Sequence, residues 1–186
     1  MRAAAAVASQ RVYGQRIIFV ALGEDAPAER VGQAEVRFVP YQEDPVVVAR
    51  YYQAADIYLH AALTDTFPNT VLEALACGSP IVATAAGGVV EQVKGLQIPD
   101  FALPDPDLNR YSLAKATGVL VPPGDAEAMA VGIERLLNHE SLRRDLGVNA
   151  ARDAESRFSL KRQADAYLAW YQQLAKQPSE SQNSLV

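Results

Sequence analysis

The chain has 186 residues, 49% of them hydrophobic, which is enough to fill the core of one domain of ordinary size, and its net charge of -5 gives no electrostatic case for binding nucleic acid or anionic membranes. No apolar run approaches the roughly 20 residues of a membrane span. The single cysteine, Cys77, excludes an internal disulfide and fits a reducing compartment, so a cytoplasmic location is expected.

Arg2 and the alanine-rich run to Ala8 read as a soluble helix, because the run is too short and too poor in leucine for a signal peptide. Ile17 to Leu22 reads as a central strand closed by Gly23, and Val36 to Val39 as a second strand closed by Pro40. Asp44-Pro45 starts a helix through about Tyr52, proline being suited to a first turn. Ile57 to His60 is the next strand. Pro68 opens a helix that Gly78 ends as a C-terminal cap, with Pro80 barring continuation, and Ile81 to Ala83 follows as a strand. Pro99, Pro104, Pro106 and their acidic neighbours suggest an insertion over residues 95–117, an ordered excursion or a flexible loop rather than core structure. Val119 to Val121 is the last strand. Asp125 caps a helix towards Asn138 with Ala128, Met129, Ile133, Leu136 and Leu137 at helical spacing. Helices are expected at Glu140 to Arg157 and Ser159 to Lys176, with a polar, disordered tail over 177–186. Residues 1–176 thus read as one α/β unit, a Rossmann-like open parallel sheet with helices on both faces.

The densest chemistry lies between Asp65 and Gly78. Two carboxylates, Asp65 and Glu73, stand eight positions apart across a loop-to-helix junction, between two apolar strands, and Gly87-Gly88 follows the second strand. Strand, polar loop, helix, strand and glycine loop make the layout of a phosphate-binding edge in an open α/β sheet. The N–H groups of Asn69, Thr70 and Val71 can face a diphosphate, while Pro68 has none. Glu73 leans back towards that mouth and is suited to accept hydrogen bonds from sugar hydroxyls, or it is a solvated helix residue. Asp65 either addresses a ligand, or caps the nearby helix or shapes a turn. Gly87 and Gly88 permit either close ligand approach or a tight turn. Tyr41, after the strand ending at Val39, offers a stacking face, Glu91 reads as a helix-start residue, and His60 ends a strand beside the site. Cys77 reads as a packed thiol and His139 as incidental. No His, Cys or Asp cluster has metal-ligand spacing.

These motifs, in this order, resemble the donor-binding domain of the retaining glycosyltransferases of the two-domain GT-B fold, family 4 or "group 1". That family shows Glu-x7-Glu, then Ala-Cys-Gly, a strand, and Gly-Gly followed by Glu. Here Glu73, Ala76-Cys77-Gly78, Gly87-Gly88 and Glu91 match, as do Ala55-Asp56-Ile57-Tyr58 and the run from Gly118 to Asp125. The resemblance covers roughly Ile17 to Tyr171. It implies transfer of a sugar from a nucleoside-diphosphate sugar to an acceptor hydroxyl with retention, with no metal and no cofactor beyond the donor. It implies that Glu73 grips the ribose, that Asp65 is the catalytic acidic group facing the donor sugar, and that the region of Tyr41 lies near the base.

Two departures stand out. Asp65 replaces the family's usual Glu, shortening its reach by about 1.5 Å, one C–C bond. The family's opening strand, with Gly-Arg and then Lys-Gly to neutralise the leaving diphosphate, is expected to be missing; Arg2, Arg11 and Arg16 are present but not in that context. An acceptor-binding domain or partner chain is therefore expected to complete the enzyme. Any membrane association is expected to be peripheral, through that other half, and an open sheet edge favours self-association. Two rival readings remain open: a non-catalytic nucleotide-binding or interaction module, and a nucleotide-sugar epimerase-like protein with the same fold and donor site.

Overall fold

The computed structural model describes residues 2–12, 16–97, 103 and 105–176. The expected tail over 177–186, Pro99 and Pro104 lie outside the described residues. In chain order the elements are α1 (Arg2–Arg11), β1 (Ile18–Leu22), β2 (Glu29–Val31), β3 (Ala34–Val39), α2 (Pro45–Ala54), β4 (Tyr58–His60), α3 (Asn69–Ala76), β5 (Ile81–Thr84), α4 (Val89–Gln92), a 3-10 turn at Pro106–Asn109, β6 (Gly118–Val121), α5 (Ala126–Asn138), α6 (Glu140–Phe158) and α7 (Leu160–Lys176).

Local chemistry sets most of the boundaries. The Asp44 carboxylate accepts from the Val46 N–H at 2.8 Å to start α2, with Pro45 in its first turn. Asp125 does the same for α5 through the Ala128 N–H at 2.9 Å. Gly78 follows the end of α3 at a φ of 73°, as its reading as a cap requires.

The strands form two three-stranded ladders, in the orders β1-β3-β2 and β4-β5-β6. Pairing is parallel between β1 and β3 and throughout the second ladder. The short β2, absent from the sequence reading, pairs antiparallel with β3 through a turn at Gly32 and Gln33. Apart from that of β2, every pairing in both ladders is parallel, and helices join the strands of the second, as an α/β architecture requires. Among the described residues β1 pairs only with β3 and β4 only with β5, so each keeps one unpaired edge.

Helices cover both faces. On one, Ala5 and Ala8 of α1 and Met129, Ile133 and Leu136 of α5 share a core with Phe19, Val36, Val82, Val119 and Val121, which draws on both ladders. The alanines let α1 lie close on α5. On the other, Val71, Ala74 and Leu75 of α3 and Ala150 and Ala154 of α6 bury Ile81, Ala83 and Leu120. Alternation along β5 thus sends Val82 one way and Ile81 and Ala83 the other, and the strand is buried on both faces. This second core ends at Tyr52 and Tyr58. Beyond it, Ile18, Val20 and Leu22 of β1 remain 38%, 49% and 37% exposed, and α2 has no fully buried residue.

The segment expected outside the core is tied into it. Leu96, Leu103 and Ala116 are buried, Leu96 bridges to Tyr111, and the Asn109 amide donates to the Leu120 carbonyl at 3.0 Å. An ion group centred on the buried Asp153 fastens α6 to the end of α4. The Asp153 carboxylate accepts from Lys94 Nζ at 2.5 Å and from Arg157 Nε at 2.8 Å, while Arg157 also donates to the Glu91 and Gln92 carbonyls.

Candidate functional site

The site is built at the carboxyl ends of β4 and β5, where α3 starts. Beyond His60 the chain leaves the sheet, and the Thr84 hydroxyl at the end of β5 donates to the Ala62 carbonyl at 2.6 Å, fixing the exit. Pro68 sits at the N-cap position of α3 without a side-chain cap, so Asp65 does not cap this helix. The first-turn N–H groups of Asn69, Thr70 and Val71 therefore open the helix towards solvent with its partial positive charge. Asn69 and Thr70 are exposed, with Thr70 beside the Tyr58 phenol, whereas the Val71 side chain is fully buried and offers only its backbone.

The loop carrying Asp65 is clamped from three sides. The Gly88 N–H donates to the Asp65 carbonyl at 3.1 Å. A Cβ on Gly87 would overlap the Asp65 carbonyl oxygen, and one on Gly88 would overlap that of Thr66 and meet the Phe67 ring at 2.8 Å. Gly87 also holds a φ of 51°, which side-chain-bearing residues rarely adopt. The glycine pair thus serves both the tight turn and a close approach, and the group approached is the Asp65–Thr66 backbone. Beneath it, the buried Gln92 amide donates to the Pro68 carbonyl at 3.0 Å, and Phe67 meets the edge of Phe158 at 6.1 Å between ring centres.

A line of polar aromatic groups runs behind the two carboxylates. Glu73 is exposed on the second turn of α3, and its Oε2 accepts a 3.0 Å hydrogen bond from the Tyr52 phenol. The Tyr52 ring meets Tyr58 edge-on at 5.5 Å. The Tyr58 hydroxyl lies 3.4 Å from His60 Nδ1, and His60 Nε2 lies 3.5 Å from Asp65 Oδ2. His60 Nε2 is buried with no closer polar partner. Burial pushes the His60 pKa down despite the upward pull of Asp65, which favours the neutral ring. Burial, and then the bond to Glu73, push the Tyr52 phenol up, so it stays a protonated donor.

Of the residues singled out in the sequence, Asp65, Asn69, Thr70, Val71, Glu73, Gly87 and Gly88 converge on this one sheet end. Tyr41 follows the carboxyl end of β3 on the other ladder, 76% exposed, with its ring open to solvent. Glu91 lies in the first turn of α4, and Cys77 is a half-buried free thiol whose pKa burial raises. His139 joins α5 to α6, with Nδ1 2.8 Å from the Arg135 carbonyl. The arginines are engaged elsewhere: Arg2 with Glu29, Arg11 with Glu127 and Glu134, and Arg16 with Glu35. Among the described residues no three His, Cys, Asp or Glu side chains are grouped to hold a metal ion. Tyr52 is the member the sequence reading missed. Its contact with Glu73 spans 21 positions, and no periodicity reports it.

The family model described as glycosyl transferases group 1 matches residues 24–153. A D-inositol 3-phosphate glycosyltransferase of Salinispora arenicola is 33% identical over 136 residues, 73% of this chain and 26% of that protein. Sucrose-phosphate synthase from Thermosynechococcus elongatus aligns at 26% identity and a TM-score of 0.65, over 92% of this chain and 42% of that one. An Anabaena protein solved in complex with UDP shares the fold at 23% identity and a TM-score of 0.56, over 73% and 32% of the two chains. The chain spans about a quarter to a third of the curated relatives it matches, 26% and 32% of the first two. With its family model matched over more than half its length and the motif residues gathered at one sheet end, the chain belongs to the glycosyl transferases group 1 family, whose structural relatives have the GT-B fold.

Proposed function

We propose that this chain is the donor-binding portion of a retaining glycosyltransferase that takes its sugar from a nucleoside diphosphate. The observation that carries the reading is the uncapped N-terminus of α3 set between two carboxylates at the carboxyl ends of parallel strands. The first-turn N–H groups and the helix dipole suit the diphosphate. Glu73 accepts from the ribose hydroxyls, and Asp65 faces the donor sugar, where positive charge develops at the anomeric carbon as the bond to the diphosphate breaks. The acceptor hydroxyl attacks on the same face, and the protein's work is electrostatic and positional. Tyr41 supplies an exposed ring for the base. No metal enters this scheme: the leaving diphosphate is balanced by the helix and by cations from the rest of the fold. The free Cys77 accords with a cytoplasmic setting.

One observation favours a second reading. Arg2, Arg11 and Arg16 each pair with glutamates outside the group of residues gathered at the entry of α3. The chain by itself would then bind nucleotide without transferring sugar, transfer requiring an acceptor domain.

Calorimetric titration with UDP, GDP and ADP, beside Glu73→Ala, tests the proposal. Losing hydrogen bonds to a charged acceptor should weaken binding by about 10- to 100-fold. Unchanged affinity in Glu73→Ala, or no saturable binding up to about 1 mM (roughly 4 kcal/mol), refutes the donor-site reading.

A further inference from the structure

We propose that Tyr52 is a positioning residue for donor binding, its phenol holding the Glu73 carboxylate in the orientation that accepts a vicinal diol. The inference rests on the donor-site reading above and adds the group that makes Glu73 selective. An exposed glutamate on a helix is free to turn about three side-chain torsions, and only some of its rotamers aim both oxygens at the mouth of α3. Here one oxygen, Oε2, is tied by the Tyr52 hydroxyl at 3.0 Å. Oε1 and the second lone pair of Oε2 remain to accept from two neighbouring hydroxyls.

Tyr52 is itself held from two directions. Its backbone carbonyl accepts from the hydroxyl of buried Ser79, just past the end of α3, at 2.5 Å. Its ring meets Tyr58 at 70° with centres 5.5 Å apart. Ser79 belongs to the segment that returns from α3 into β5, and Tyr58 begins β4, so α2 is pinned to the elements that carry the site. The phenol remains a donor across the working pH range because burial and Glu73 both oppose its ionisation. The Tyr52 hydroxyl donates to the Glu73 carboxylate, so its effect on a ligand passes through that carboxylate.

The test is calorimetric, with whichever of UDP, GDP and ADP binds and the 2′,3′-dideoxy form of the same nucleotide. Tyr52→Phe keeps the ring and its contact with Tyr58 and removes only the hydroxyl. The expected result is a three- to tenfold weaker ribonucleotide, the worth of about one hydrogen bond, with the dideoxy nucleotide unchanged. In a Glu73→Ala background Tyr52→Phe should then have no further effect. Wild-type ribonucleotide affinity in Tyr52→Phe, together with a loss in Glu73→Ala, overturns the proposal and leaves the donor reading standing. Equal weakening of the ribonucleotide and dideoxy forms also overturns it, because that marks a general disturbance of the fold. Glu73→Ala binding like wild type, or no nucleotide binding at all, refutes the donor reading and the role of Tyr52 with it.

Discussion

Gly88→Ala probes the clamp on the Asp65 loop without straining the φ and ψ of residue 88 itself. Gly88 has φ -72° and ψ -7°, a conformation alanine adopts freely, so any loss of stability must come from the added methyl. That methyl would overlap the Thr66 carbonyl oxygen and stand 2.8 Å from the Phe67 ring and 3.0 Å from the Thr66 carbonyl carbon. Two of those three atoms are backbone, so no rotamer change relieves them, and the loop must move by more than about 1 Å to restore van der Waals contact. Overpacking of this kind costs about 1–3 kcal/mol, and the rigid backbone puts this site near 3. Alanine reduces the freedom of the unfolded chain, which offsets about 0.4–1 kcal/mol. The net is a loss of about 2 kcal/mol, a fall in Tm of roughly 4–8 °C for a domain of this size. Urea denaturation followed by circular dichroism gives the stability. Calorimetry should show a nucleoside-diphosphate sugar weakened more than the free nucleotide, because the displaced loop carries Asp65, the group assigned to the sugar. A stability change below about 0.5 kcal/mol, within the range of an ordinary surface substitution, would show that the glycine pair does not wedge against the loop. Gly87→Ala is the less clean experiment, since its φ of 51° adds backbone strain to the overlap.

Asp153→Ala leaves Lys94 and Arg157 facing each other without their shared carboxylate; because both cations are partly exposed, at 28% and 32%, the expected cost is about 1–3 kcal/mol rather than that of a fully buried pair, measured as a lowered urea midpoint. Leu75→Ala opens a cavity in the core under α3 at a fully buried position and should cost about 3 kcal/mol by the same assay. His60 gives a pH test: burial lowers its folded pKa, so below its unfolded value of about 6.5 the unfolded chain binds a proton that the folded one resists. Stability should therefore fall as the pH drops through about 6.5 towards the lower folded value, and His60→Gln should flatten that part of the curve; parallel curves for the two proteins would contradict the burial argument.

Much of the fold is legible locally because its signals act over a few residues. Asp44 and Asp125 each cap a helix through an N–H two or three positions on, and Gly78 and Pro80 stop α3 within its own turn. β2 escaped because Glu29-Arg30-Val31 has too few apolar positions to alternate, and it exists only by pairing with β3 at the edge of its ladder. The stretch over 95–117 read as an excursion because its prolines and charges are local, whereas the burial of Leu96 and Leu103 depends on what folds over them. In the site, spacing alone brought Asp65, the entry of α3 and Glu73 to one sheet end. It left open whether Asp65 caps α3, and Pro68 at that position answers that it does not.

Local signals along the chain were enough for the α/β class, for the order of the elements apart from the short β2, and for the cluster of acidic and helix-entry residues, since these are set by periodicity and caps within strand–helix–strand units. Packing between distant elements is what closes Gly87 and Gly88 on the Asp65 loop, joins Tyr52 to Glu73, and pairs Arg2, Arg11 and Arg16 with glutamates. Those contacts join elements far apart in the chain, where the outcome depends on how layers pack, and no local pattern of residues encodes the distance between them.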